Sequence, residues 1–268
     1  MTAYVETSID GQFLTPIDLM VEVEVAEDGK REISWVPAFR FIDTATVTPD
    51  PESVAMADAL RATMDQTLDV EIGTVAAPLD SRRNVVRGEE STMGNLIADA
   101  MRDVTGADIA IMNGGGIRGD TTYDAGRKLT RRDILTELPF GNTTVVTELP
   151  GSQILLALEN GVSQVEKGAG RFRQVSGLSY AIDASAEAGK RVSEVTVGGA
   201  ALDADTLYTV AVNDYIVGGG DGYDALGGGR IITDGPTGSL VANDVMAYVE
   251  KLGTVGVAVQ GRIRRLEQ

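Results

Sequence analysis

The sequence predicts an α+β protein in which helices pack against a mixed β-sheet, preceded by a small β-hairpin. Short apolar runs with strand-like alternation recur along the chain, and amphipathic helical patterns lie between only some of them. The order mixes βαβ-like steps with hairpins, which favours α+β over a doubly wound sheet. With 268 residues, the chain has room for one large domain, or for one domain and a piece of another.

The first 48 residues predict a hairpin. Apolar and acidic side chains alternate over residues 19–25, Asp28-Gly29 indicates a turn, and residues 33–36 resume a strand. The Thr-Pro-Asp-Pro run at residues 48–51 then interrupts regular structure. We therefore expect a boundary there, between a hairpin segment (1–48) and a larger domain (49–268).

The larger domain predicts helices and strands in turn. A helix is expected over residues 51–68, and a second from about Ser91 to Val104, where apolar residues recur at i, i+3 and i+4 and Gly106 marks the end. A short buried strand should follow at residues 107–112.

Helix starts are predicted further along the domain. Thr130 and Asp133 have the spacing of a capping box, and Ser152 is predicted to cap the next helix. A strand is expected at 207–212, and a final helix at about 239–252.

The composition excludes several classes of function. The formal net charge is −17, which repels nucleic acid and anionic membrane surfaces. No apolar run is long enough for a membrane span, and residues 1–6 show no secretory signal. The chain has no Cys and no His, so a thiolate nucleophile, a Ser-His-Asp triad and a His-ligated metal site are all excluded.

A glycine run follows the predicted strand 107–112. Asn113 is followed by three glycines, including Gly115 and Gly116, and then by Ile117 and Arg118. Glycines let backbone N–H groups approach a ligand, Asn113 suits the edge of a purine, and Arg118 suits a phosphate. A tight turn with a surface arginine explains the same residues equally well.

A second glycine run, with an acidic residue inside it, follows the predicted strand 207–212. Gly219 and Gly220 precede Asp221, whose carboxylate is suited to accept hydrogen bonds from vicinal sugar hydroxyls. The run matches neither a GxGxxG nor a P-loop pattern. On residue types alone, a structural turn is the favoured interpretation of this run.

Two aromatic residues stand near these runs in a chain that contains few. Phe140 and Tyr215 lie on separate loops, where two rings can clamp a flat base. For a single aromatic residue at a loop end, a core position is the more usual role. A basic group, Arg82, Arg83 and Arg87, precedes the best helix and suits either a phosphate or a solvated loop.

Taken together, these residues resemble a known family. Six segments occur in the family's order, at residues 93–101, 107–108, 113–118, 138–142, 174–178 and 219–223. Over roughly residues 70–265 the chain closely resembles the C-terminal domain of the 5'-nucleotidase family, which includes UDP-sugar hydrolases and 2',3'-cyclic-nucleotide phosphodiesterases. The resemblance implies the fold of that domain.

The resemblance also implies roles for the site residues. Phe140 and Tyr215 would hold the base between them, Asn113 would contact its edge, and Asp221 would bind ribose hydroxyls. Arg118, with Arg87, would meet the phosphate side. The glycines at 115, 116, 219 and 220 would shape the pocket around a nucleoside or nucleotide, with adenosine or AMP expected first.

Two positions depart from the family pattern. A family position before the helix at 91–104 often carries Arg, and Glu89 stands there in this chain, while Arg87 aligns with another basic position. The second ring is Tyr215 rather than Phe, which adds a hydroxyl group.

The resemblance implies that catalysis resides outside this chain. The complete family enzyme has an N-terminal metallophosphatase domain with two divalent metal ions and several histidines. This sequence contains no histidine. No catalytic residue, metal ligand or cofactor is therefore expected here, and the isolated chain is expected to be inactive. Residues 12–47 resemble the closing hairpin of the missing domain, and the family implies a periplasmic or extracellular location.

Three hypotheses follow from the sequence. The first is the nucleotide-recognition domain of a 5'-nucleotidase-like hydrolase. The second is a stand-alone module that binds a nucleoside or another small ligand, without a hydrolase partner. The third is a structural domain whose pocket binds nothing.

Overall fold

The computed structural model describes residues 11–233 and 238–266. The chain divides into two units, Met1–Thr63 and Met64–Gln268. This division falls inside the first helix, later than the boundary expected at residue 48. The first ten residues of the predicted hairpin segment lie outside the described residues. The assignment of that segment to a missing domain stays a prediction.

Strands outnumber helices in the described residues, and several strands follow one another directly. The strands are β1 (Phe13–Leu14), β2 (Ile17–Val25), β3 (Arg31–Phe39), β4 (Ile42–Asp43), β5 (Glu71–Val75), β6 (Leu79–Asp80), β7 (Ile109–Asn113), β8 (Thr122–Tyr123), β9 (Lys128–Thr130), β10 (Thr144–Pro150), β11 (Arg173–Ser176), β12 (Leu178–Ile182), β13 (Val192–Val197), β14 (Ala200–Ala201), β15 (Leu207–Asn213), β16 (Arg230–Thr233), β17 (Thr254–Val255) and β18 (Ile263–Arg265). The helices are α1 (Pro51–Leu68), α2 (Arg83–Val86), α3 (Thr92–Thr105), α4 (Arg131–Glu137), α5 (Gly151–Val162), α6 (Asp214–Val217), α7 (Asp224–Gly227) and α8 (Val241–Leu252).

The first unit contains the predicted hairpin. Strands β2 and β3 pair antiparallel, with Val21 opposite Trp35, and Gly29 in the turn has a φ of +80°. Because side chains alternate between the faces of a strand, one face carries Ile17, Leu19 and their apolar neighbours, while Glu22 lies on the other face. Every residue of β2 is exposed. The hairpin therefore presents one continuous apolar face.

The centre of the second unit is a mixed five-stranded sheet in the order β11-β7-β15-β10-β16. Strands β7 and β15 run parallel, and the other neighbours run antiparallel. Every residue of β7 is buried, and its alternate side chains belong to different hydrophobic clusters. One cluster includes side chains of α3 and α8, and the other includes side chains of α5. The predicted mixed sheet with packed helices is confirmed.

The second unit also contains the two-stranded pair of β6 with β8 and two further sheets of four and three strands. One has the order β14-β13-β12-β18 and the other the order β17-β5-β9. In each of them a strand from beyond residue 250 joins by parallel pairing, β18 with β12 and β17 with β5. Each of these two sheets therefore combines strands that are far apart in the sequence.

Helix α3 begins and ends as its sequence predicts. The Ser91 hydroxyl accepts a hydrogen bond from the Gly94 N–H, and Gly106 adopts the left-handed conformation after the last turn. The predicted capping box is present at α4, where Thr130 and Asp133 satisfy each other's backbone N–H groups.

The predicted cap at Ser152 is wrong. Helix α5 begins at Gly151, and Pro150 precedes it without a side-chain cap. The N–H groups of Gly151 and Ser152 instead donate to the carbonyl oxygens of Thr206 and Ala204. Because a distant loop already satisfies these donors, the serine hydroxyl is not needed.

In the described part of the chain, no helix combines the length and apolarity needed to cross a bilayer.

Candidate functional site

A cavity of about 440 Å³ opens in the second unit. Its position follows from the sheet, because β7 and β15 are adjacent and parallel, so their carboxyl ends lie at one edge. Asn113 ends β7, Asn213 ends β15, and both glycine runs follow these two residues. The cavity, called the cleft below, is lined by Arg87, Asn113, Gly115, Gly116, Arg118, Phe140, Asn142, Gly170, Tyr215 and Asp221.

Eight of the ten predicted site residues line the cleft, and Gly219 and Gly220 do not. Gly220 packs directly against the Tyr215 ring, since a Cβ atom at Gly220 would lie 2.6 Å from that ring. Gly219 has a φ of +89° in the turn that leads to Asp221. These two glycines therefore support the cleft's wall and do not border its space.

Two exposed aromatic rings form walls of the cleft. The side chain of Phe140 is 58% exposed, and that of Tyr215 is 49% exposed. A ring in the core would be covered, so this exposure argues against the core interpretation of both residues. The Arg118 guanidinium lies 5.3 Å from the centre of the Phe140 ring, within cation–π range.

The carboxylate of Asp221 is held inside the cleft. Asn113 donates to its Oδ2 atom at 2.9 Å, and the Tyr215 hydroxyl donates to its Oδ1 atom at 3.3 Å. The Asn113 amide oxygen accepts in turn from Asn213 at 2.9 Å. The side chain of Asn113, only 2% exposed, is thus mainly committed to holding Asp221.

The backbone at Asp221 is itself unusual. Its φ of +56° lies in the left-handed region, which costs a non-glycine residue about 1 kcal/mol or more. Asn160 Nδ2 donates to the Asp221 carbonyl oxygen at 3.2 Å and fixes this conformation. Strained backbone of this kind tends to occur where a side chain must point at a ligand.

Arg87 brings a positive charge to the cleft with little solvent. It is 7% exposed, and its Nε atom has no hydrogen-bond partner among the described residues. Burial lowers the pKa of the Arg87 guanidinium, and the nearby charges of Arg83 and Arg118 lower this pKa further. A buried, unpaired guanidinium N–H is a group that an anionic ligand would satisfy.

Three arginines, Arg83, Arg87 and Arg118, lie together at or next to the cleft. A second cavity of about 140 Å³ is lined by Arg83, Arg87, Ile117, Arg118 and Asp120. Arg82 does not take part, because its side chain bonds the Asp80 carboxylate at 2.6–3.1 Å. Of the basic group found in the sequence, only Arg83 and Arg87 therefore face this region.

The first glycine run lets backbone segments pack closely. A Cβ atom at Gly114 would lie 2.2 Å from the Val86 carbonyl oxygen, and one at Gly116 would lie 2.4 Å from Met112 Cε. A Cβ at Gly115 would meet the Gly170 backbone at 3.0 Å. Both interpretations of the run hold in part, because Gly115 and Gly116 line the cleft while Gly114 packs against protein.

A buried carboxylate ties two walls of the cleft together. Glu137 is fully buried at the end of α4, and its Oε1 atom accepts from Ser81 at 2.7 Å and Tyr123 at 2.8 Å. Its Oε2 atom accepts from the Gly119 N–H at 3.1 Å, and its carbonyl oxygen accepts from the Arg118 N–H. Glu137 thus links the loop of Arg118 to the segment that leads into Phe140.

The protonation of Glu137 should affect stability. Burial raises the pKa of the Glu137 carboxyl above its ordinary 4.5, so the folded chain holds this proton more tightly than the unfolded chain. The contribution of Glu137 to stability is therefore largest below pH 4.5 and is lost as pH rises through the raised pKa. We expect Glu137→Gln, whose side chain stays neutral, to become more stable relative to wild type as pH rises from 4.5 through the raised pKa of Glu137. Urea unfolding of both proteins at several pH values above and below 4.5 measures the difference in their free energies of unfolding. A difference that does not change with pH would contradict the prediction.

Sequence reasoning missed two residues that line the cleft, Asn142 and Gly170. Asn142 ends the Pro-Phe-Gly-Asn segment, and its amide donates to Asp214 at 2.7 Å. That segment was a usable signal. Gly170 lies in an ordinary loop, and nothing in the local sequence distinguishes it.

The chain folds into a mixed α+β domain with an open cleft. Two aromatic rings, the Asp221 carboxylate and two arginines line this cleft. The family model described as 5'-nucleotidase, C-terminal domain matches residues 71–228. This chain belongs to that family, as the resemblance in the sequence predicted.

Similar proteins agree with this membership. The chain is 35% identical to the trifunctional nucleotide phosphoesterase protein YfkN of Bacillus subtilis, over 96% of this chain and 18% of that protein. It is 32% identical to the protein UshA of Yersinia enterocolitica, over 89% of this chain and 40% of that protein. The crystal structure of a 5'-nucleotidase precursor from Thermus thermophilus superposes with a TM-score of 0.74 at 36% identity, covering 93% of this chain and 50% of that one.

The chain spans no more than about half the length of these relatives. The remaining portions of these proteins lie outside the matched regions.

Proposed function

We propose that this chain is the nucleotide-recognition domain of a 5'-nucleotidase-type phosphoesterase, and that it binds a nucleoside or nucleotide in the cleft. The observation that carries the proposal is the meeting of two exposed rings, one fixed carboxylate and a buried, unpaired guanidinium in a single cavity. These groups match the three parts of a nucleotide, which are a flat base, a sugar diol and an anionic phosphate.

The proposed pose follows from the lining residues. Phe140 and Tyr215 hold the base by stacking, and each stacked base is worth about 1–3 kcal/mol. Asp221 accepts from the ribose hydroxyls, and Asn113 borders the edge of the base. Arg87 and Arg118 meet the phosphate side. Adenosine and AMP are the first ligands to test.

Chemistry would then come from a partner domain. The chain has no histidine, and residues 11–233 and 238–266 contain no group of three or more metal-binding side chains. The residues present do not fit the two divalent metal ions of a metallophosphatase centre. We place those ions in an N-terminal domain of the parent protein, which would supply metal-activated water. This domain would supply positioning.

The hairpin of the first unit fits the same scheme. Its apolar face, with Leu19 and Trp35 exposed, is the kind of surface that a further domain would cover. We propose that it is the closing hairpin of the metallophosphatase domain. A periplasmic or extracellular location of the parent protein is part of the same proposal.

Binding without turnover is the expected behaviour of the purified chain. Titration calorimetry with adenosine and AMP should show binding in the micromolar-to-millimolar range, because the base, sugar and phosphate contacts all belong to this domain. Phosphate release from AMP with Mn²⁺, Zn²⁺ or Mg²⁺ should stay at the level of a reaction without protein.

Two outcomes would contradict the proposal. Absence of heat with every nucleoside and nucleotide of a purine and pyrimidine panel would refute the binding role. Efficient phosphate release by this chain would refute the separation of binding from catalysis.

A further inference from the structure

The Tyr215 side chain does more than present a ring. Its hydroxyl donates to Asp221 Oδ1 at 3.3 Å, while Asn113 donates to Asp221 Oδ2 at 2.9 Å. Each carboxylate oxygen thus has one fixed donor. A carboxylate oxygen has two lone pairs, so each oxygen keeps one acceptor site for a ligand.

The same tyrosine is also fixed from below. Its ring lies against the backbone of Gly220, where a Cβ would be 2.6 Å from the ring carbons. Gly170 lies next to the same carboxylate, since a Cβ there would be in van der Waals contact with Asp221 Oδ2 at 3.6 Å. The ring of Tyr215 and the carboxylate of Asp221 therefore form one preorganised unit.

We infer that the Tyr215 hydroxyl orients Asp221 as a two-oxygen acceptor for a vicinal diol, and so makes the cleft select ribonucleosides over deoxynucleosides. This inference rests on the proposed function. Tyr215 contributes its ring to the base and, acting through Asp221, positions the group that recognises the sugar. The two recognitions are coupled in one side chain.

The selectivity follows from how the carboxylate is held. A carboxylate with a donor on each oxygen cannot rotate freely, so its two free acceptor sites are held in fixed directions. Two neighbouring sugar hydroxyls can use both sites at once. A 2'- or 3'-deoxy sugar leaves one acceptor site of a charged, half-buried group without its hydrogen bond, which is costly.

The test begins with the wild-type chain. Its affinities for adenosine, 2'-deoxyadenosine and 3'-deoxyadenosine are measured by titration calorimetry. Adenosine should bind tighter than either deoxynucleoside by about 10-fold or more, which is the loss of one hydrogen bond to a charged group.

Tyr215→Phe keeps the stacking ring and removes only the hydroxyl. We expect the preference for adenosine over the deoxynucleosides to fall by about 3- to 10-fold. Tyr208→Phe is the matched control, since its hydroxyl accepts from the Asp203 N–H at 3.1 Å and lies outside the residues that line the cleft. The control should keep the wild-type preference, and thermal unfolding should show that both variants are folded.

A double-mutant cycle separates positioning from general weakening. Asp221→Asn should abolish the preference, and adding Tyr215→Phe to it should change the preference no further, because the hydroxyl acts through the carboxylate. A purely structural role of Tyr215 would not produce this dependence.

Three results would overturn the inference. The first is that Tyr215→Phe keeps the wild-type preference for adenosine over the deoxynucleosides. The second is that Tyr215→Phe binds adenosine more tightly than wild type, which would mean that the hydroxyl and the sugar compete for Asp221. The third is that Tyr208→Phe loses as much of the preference as Tyr215→Phe does. Failure of the proposed function looks different, since the wild-type chain would then bind no nucleoside at all, and the inference would fall with it.

Discussion

Replacing Gly114 with alanine is expected to destabilise the second unit by about 3 kcal/mol, at the upper end of ordinary overpacking effects. The new Cβ would lie 2.2 Å from the carbonyl oxygen of Val86 and 3.2 Å from that of Phe172. Both obstacles are backbone atoms, which cannot turn away as a side chain does. The N–H of Gly114 also donates to the Phe172 oxygen at 2.5 Å, so the turn is held on that side.

Urea unfolding measures this effect, with Gly228→Ala as the matched control. Gly228 has a right-handed helical backbone, and its added Cβ would meet no atom within 4 Å. We expect the control to stay within about 0.5 kcal/mol of wild type. Equal stabilities of the two variants would show that the backbone at Val86 yields easily. The close packing in the structure would then carry little energy.

Phe140→Ala is expected to weaken adenosine binding by about 10- to 100-fold, which corresponds to the energy of one stacked base. The ring is 58% exposed, so its removal opens no core cavity and should leave the fold intact. The change also removes the ring that Arg118 faces at 5.3 Å, and the hydrogen bond from Arg118 to the Gly115 carbonyl oxygen remains. Titration calorimetry gives the affinity, and thermal unfolding gives the stability.

Phe41→Ala is the control for the loss of an exposed ring. Phe41 is 66% exposed and belongs to the other unit, outside the residues that line the cleft. Its replacement should leave adenosine affinity at the wild-type value. If Phe140→Ala also bound adenosine as wild type does, stacking on this ring would be ruled out.

Local rules predicted the elements whose signals are local. The apolar spacing of α3, its Ser91 start and its Gly106 end all depend on residues within a few turns, and the structure confirms them. The capping box of Thr130 and Asp133 is equally local. The wrong cap at Ser152 shows the limit, because the contact that replaced it comes from Thr206, more than fifty residues away.

The sequence predicted most of the residues that line the cleft, but not the hydrogen bonds among them. Glycine runs, rings and charges were visible in the sequence, and the resemblance to a family gave them an order. That Asn113 serves mainly to hold Asp221 depends on pairing between β7 and β15, about a hundred residues apart. The burial of Arg87 depends likewise on packing that no local pattern encodes.

The parallel pairing of β17 with β5 and of β18 with β12 bears on how the protein is made. Neither of these two sheets can be completed until residues 254–265 have left the ribosome. Such long-range closures slow folding and leave strand edges uncovered in the meantime. During synthesis, the edges of β5 and β12 should therefore be natural contact points for chaperones.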